Sequence, residues 1–113
     1  MGVVEKRRAK VDMTGKKAKE RYDIAVRVKS VKGICKSGHK VGDEWVIKTK
    51  TPPGICLSAF GSIFPFLRVL GFGGTCYWQA DPDTLPDVAC PDGPNAVVFE
   101  LRRIRPKDRG RPA

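Results

Sequence analysis

Apolar and polar residues alternate along several stretches of the chain, and in one stretch the apolar interval lengthens to three or four. Tyr22, Ile24, Val26 and Val28 alternate with mostly polar neighbours as far as Lys29. That period of two predicts a half-buried strand. From Glu44 to Lys50, Trp45, Ile47 and Thr49 oppose Val46, Lys48 and Lys50, a second strand stopped by Thr51-Pro52-Pro53-Gly54, because proline has no N–H for a ladder. Leu57, Phe60, Phe64, Leu67 and Leu70 then recur at helical spacing and predict one apolar helix face. Pro65 falls inside that run, so the segment is read as one kinked helix or two short helices, with Gly71 as the stop.

Cys76-Tyr77-Trp78 reads as a short extended piece and Gln79 to Asp87 as an acidic, proline-bearing loop. Val88-Ala89-Cys90 runs into a Pro91-Asp92-Gly93 turn, and Ala96 to Arg102 alternates again with Val97, Phe99 and Leu101 on one face. The order β-β-α-β-β predicts an α+β domain, a small and mainly antiparallel sheet with the helical segment over one face. At 113 residues there is room for one such domain.

Charge divides the chain further. The formal net charge is +10, but residues 1–21 carry eight Lys/Arg against three Asp/Glu, and residues 102–113 carry six against Asp108 alone. Residues 22–101 hold eight of each sign and are neutral. The reading is a basic N-terminal extension over 1–21, a single domain over 22–104 and a basic tail over 105–113. The extension is too polar to offset its own ordering entropy and is expected to be flexible when alone. No stretch has the form of a secretion signal or a membrane span, so a cytoplasmic protein with reduced thiols is expected. The even number of cysteines keeps disulfide pairing open as a second reading.

Three segments stand out together: Cys35-Lys36-Ser37-Gly38-His39-Lys40-Val41-Gly42-Asp43, Pro53-Gly54-Ile55-Cys56 and Cys90-Pro91-Asp92-Gly93, with Gly73-Gly74 before Trp78. In these the chain resembles an uncharacterised family of small cysteine-bearing bacterial and archaeal proteins that share a GHxxGD stretch and a CPDG turn. The resemblance covers about residues 22–104 and implies one compact domain and a prokaryotic source; it implies no mechanism.

The candidate chemistry lies in the same segments. Cys35, His39, Cys56 and Cys90 are the residue types zinc prefers, and four such ligands would close a tetrahedral structural site. All four sit at the ends of elements, although no Cys-x-x-Cys knuckle is present. A second reading makes Cys35 a reactive thiolate, favoured by Lys32, Lys36 and Lys40, with His39 as its base or partner. A third reading leaves the cysteines as small core residues. Asp43 is read as a turn residue ahead of the Trp45 strand rather than a metal ligand, and Asp81, Asp83 and Asp87 as a solvated loop. Tyr77 and Trp78 either line a partner surface or plug the core beside Gly73-Gly74. Gly71, Gly73 and Gly74 lack the following Gly-Lys-Ser/Thr of a phosphate loop.

Lys6, Arg7, Arg8, Lys16 and Lys17 at one end, with Arg103, Arg105, Arg109 and Arg111 at the other, are the expected contacts to nucleic acid or an acidic protein assembly. No aromatic residue interleaves with them. The leading expectation is a non-catalytic binding or accessory protein with a Cys/His cluster and docking tails. Its alternatives are a small redox or nucleophilic cysteine enzyme and a plain structural subunit of a complex.

Overall fold

The computed structural model describes residues 21–105. Strands β1 (Asp23–Val31), β2 (Glu44–Ile47), β3 (Thr84–Ala89) and β4 (Val97–Ile104) form one sheet in the order β2-β1-β4-β3. Every neighbouring pair is antiparallel. One helix, α1 (Leu57–Gly71), joins β2 at one edge to β3 at the other. The fold is therefore the small antiparallel α+β architecture that the apolar pattern predicts.

Alternation determines which face is covered. In β4, Val97, Phe99, Leu101 and Arg103 are buried while the residues between them are half-buried. Opposite them, Val28 pairs with Phe99, Val26 with Leu101 and Ile24 with Arg103. This row meets Ala59, Ile63, Leu67 and Leu70 of α1 in the core. On the other face Arg27 pairs with Glu100 at 2.9 Å and Lys29 with Asp87 at 2.8 Å, as suits a sheet with one wet side.

Three elements differ from the expectation. First, α1 runs unbroken through Pro65, and its buried stripe is Ala59, Ile63, Leu67 and Leu70. Leu57, 86% exposed, and Phe64, 47% exposed, fall outside it. The helix has two adjoining apolar stripes, and periodicity alone could not choose between them. Second, Thr84 to Asp87 belongs to a strand. Pro86 is tolerated because β3 is an edge strand whose register against β4 shifts between Leu85 and Val88. Third, Tyr77 and Trp78 form a turn, closed by the Gln79 N–H donating to the Cys76 carbonyl at 3.1 Å.

Helix termini leave carbonyls without partners, and α1 resolves this through the sheet. The Arg103 Nε donates to the Leu70 carbonyl at 3.0 Å, its Nη2 to the Gly74 carbonyl, and its Nη1 to Asp83 Oδ1 at 3.2 Å. The Tyr22 N–H donates to the Gly71 carbonyl at 2.9 Å. A guanidinium at the negative end of the helix dipole is also favourable electrostatically. Arg103 thus ties the helix end, β4 and the loop before β3 into one unit.

Candidate thiol site

Because the strands are antiparallel, one end of the sheet collects the end of β1, the starts of β2 and β4, and the end of β3. The start of α1 is brought to the same end by His39. Cys35, His39, Cys56 and Cys90 all sit on connections at this end. The loop after β1 is anchored there by Asn95, whose Oδ1 accepts the Ile34 N–H at 3.0 Å. Close packing explains Gly33: a Cβ on it would lie 2.3 Å from that same oxygen.

The loop then turns at Gly38 and Gly42, both in the left-handed region at φ 83° and 96°. Asp43 closes the turn as expected. Its Oδ2 accepts the Lys40 N–H at 3.0 Å, and that hydrogen bond holds its carboxyl below the usual carboxylate pKa. This turn sets His39 into the core, edge-on to Trp45 at 5.2 Å and to Phe99 at 6.3 Å between ring centroids. His39 Nε2 accepts the Cys56 N–H at 3.1 Å, so the neutral ring carries its proton on Nδ1. A buried imidazole thereby holds the first turn of the helix in place.

Cys56 occupies the N-cap of α1 with φ −60° and ψ 138°. Its neutral thiol makes no capping hydrogen bond. The thiolate is what the surroundings favour. The Ser37 hydroxyl first, then the N–H groups of Ala59 and Ser58, hold the thiol pKa below its ordinary value, against an opposing effect of burial. The positive end of the helix dipole acts in the same direction. Cys56 is half-buried, and the next residue, Leu57, is 86% exposed.

The remaining candidates play other parts. Cys90 Sγ accepts the Val97 N–H at 3.3 Å, and its own N–H donates to the Val97 carbonyl, which continues the β3–β4 pairing past Ala89. Cys35 accepts the Gly38 N–H through its carbonyl, and its side chain packs on the core's edge, as Cys76 does. All four cysteines are free thiols. Among the described residues no three His, Cys, Asp or Glu side chains are gathered as a metal-holding group. The zinc arrangement of Cys35, His39, Cys56 and Cys90 is not assembled: the His39 Nε2 lone pair serves a backbone N–H and the Cys90 sulfur serves another.

Of the basic candidates, Lys6, Arg7, Arg8, Lys16, Lys17, Arg109 and Arg111 lie outside the described residues. Arg103 is not an outward contact, since its side chain is 3% exposed and committed to the α1 terminus. Arg105 bonds Asp83 through Nε at 3.1 Å and Nη2 at 2.6 Å, so the folded unit reaches one residue beyond Ile104. Asp83, read as part of a solvated loop, is the anion that both arginines share.

Ser37 is the site residue that the sequence reading passed over. The one available signal was its place in the near-repeat Gly-Ile-Cys-x-Ser, which occurs at Gly33 to Ser37 and again at Gly54 to Ser58. Both serines turn out to serve the second cysteine. In class, this is a two-layer α+β domain with a thiol at a helix N-terminus, and no described helix is long and apolar enough to cross a membrane. Comparison with known proteins gives no matching family, no matching curated protein and no matching solved structure.

Proposed function

We propose that the protein acts through the Cys56 thiolate, as a small thiol protein that attacks an electrophilic sulfur. The observation that supports this reading is the place of Cys56 at the N-cap of α1, half-buried, where the positive end of the helix dipole favours an ionised sulfur and the thiol pKa is lowered. A thiolate stabilised in advance needs no general base at the moment of attack. His39 is a positioning residue in this scheme: it fixes the Cys56 backbone and takes no proton from the thiol. The reactive role that the residue types suggested for Cys35 passes to Cys56, because the helix N-terminus lies beneath Cys56 alone.

The reaction class is thiol–disulfide exchange. The Cys56 thiolate attacks one sulfur of a disulfide, a new S–S bond forms to Cys56, and the other sulfur leaves as a thiolate. A second thiol reverses the step and restores Cys56 with no net gain or loss of electrons on the protein. Leu57, next to Cys56 and largely exposed, offers an apolar contact for the non-sulfur part of the partner.

Brief exposure of the reduced full-length protein to glutathione disulfide at neutral pH tests this, with peptide mapping of the adducts. The mixed disulfide is expected on Cys56 first, and Cys56→Ser should remove the fast phase. Adducts spread evenly over the four cysteines, or confined to another of them, would refute the assignment.

A further inference from the structure

A second surface lies at the opposite end of α1 and owes nothing to the thiol. The helix stripe left out of the core ends in Phe64, Arg68 and Phe72, with the two rings 47% and 56% exposed. The Arg68 guanidinium stands 4.4 Å from the centre of the Phe72 ring and 5.9 Å from that of Phe64, a ring–cation–ring ladder. Facing it across a groove of about 90 Å³ are Arg21, Lys48 and Lys50, from the segments beside β1 and after β2. No carboxylate lines the groove. Lys48 reaches Asp23 at 3.3 Å, while among the described residues Arg21, Lys50 and Arg68 have no carboxylate partner.

The fold adds to this charge. Asp23 pairs with Ile104, so the two ends of the described chain leave the sheet side by side, at the end that bears the groove. The chain outside the described residues, with a net charge of +4 over 1–20 and +2 over 106–113, therefore attaches beside an already cationic surface. Aromatic rings interleaved with cations suit a ligand with both phosphates and flat bases. A duplex hides its base faces in its own stack, and an acidic helix brings no flat bases to the two rings.

We propose that this groove binds single-stranded nucleic acid, with bases stacked on Phe64 and Phe72 and the backbone phosphates drawn to Arg21, Lys50 and Arg68. The rings supply the stacking that the basic ends themselves lack.

Fluorescence anisotropy of a labelled oligothymidylate, measured on the full-length protein over a range of salt, tests the proposal. The variant Phe64→Ala/Phe72→Ala is expected to bind about tenfold more weakly with the salt slope unchanged. Lys50→Ala/Arg68→Ala is expected to flatten the slope by one to two phosphates' worth, or roughly 1–2 in log–log terms. Both pairs are exposed enough for folding to survive, and photo-crosslinking of a thio-substituted oligonucleotide to the unmodified protein gives an independent readout, with adducts expected between Lys48 and Phe72. Equal binding by the ring variant, crosslinks confined to the terminal stretches, or equal affinity for duplex DNA or an acidic polypeptide would each overturn it.

Discussion

A sulfur ionises more readily where donors already point at it, and at Cys56 those donors come from two separate parts of the chain. Ser58 and Ala59 follow it in the helix, whereas Ser37 reaches it from the loop after β1. Ser37→Ala removes the largest of these contributions, so the Cys56 pKa should rise toward that of an ordinary thiol. Each unit of rise lowers the thiolate population about tenfold at a pH below the pKa. Alkylation of Cys56 at pH 7 should therefore slow several-fold, by roughly 3–10 times, and converge with wild type at high pH where both are ionised. Cys56 itself stood out in the sequence by its place after a Pro-Gly turn. Its activation did not, because the Ser37 contact joins residues distant in sequence and exists only once His39 has docked beneath the helix.

At the scale of elements, the joint between α1 and the sheet rests on the shared anion Asp83. Arg105 is the main cause of its lowered carboxyl pKa, followed by the charges of Arg105 and Arg103, with burial acting the other way. A carboxyl whose pKa falls on folding stabilises the fold above its unfolded value near 3.9, and that stability is lost as pH drops through the folded value. Asp83→Asn leaves the buried Arg103 guanidinium without its counter-ion and should cost about 2–3 kcal/mol at neutral pH, less than for a fully buried pair because Asp83 is partly wet. Thermal unfolding of the two proteins should differ at pH 7, and the difference should begin to shrink only as pH falls below about 4, vanishing once pH is below the lowered folded value.

Strand and helix periods were legible in the sequence wherever one face is buried, as in β1 and β4. They failed where another term competed: β3 carries a proline that only an edge bulge accommodates, and the apolar surplus of α1 offers two stripes. Arg103 obeys the alternation of β4 to the letter, yet its charge reads as tail rather than core. Its buried position depends on a helix end, Leu70, that arrives from elsewhere in the chain.

The whole molecule separates its chemistry by end. The thiol and the imidazole gather where β1 ends and α1 begins, and the Arg–Asp joint and cationic groove gather where α1 ends. This polarity follows from antiparallel pairing with a single helix spanning the sheet, so the same topology that builds the core also keeps the two sites apart. The net charge of the sequence marked only one of these ends, through its terminal stretches, and said nothing of the neutral end where Cys56 sits.

That Cys56 ionises more readily than an ordinary thiol is tested most directly by the ultraviolet thiolate absorbance across pH of the reduced protein minus that of Cys56→Ser. The difference should trace one ionisation with a midpoint clearly below the value of about 8.5 for a free thiol. A midpoint at or above that value would contradict the account.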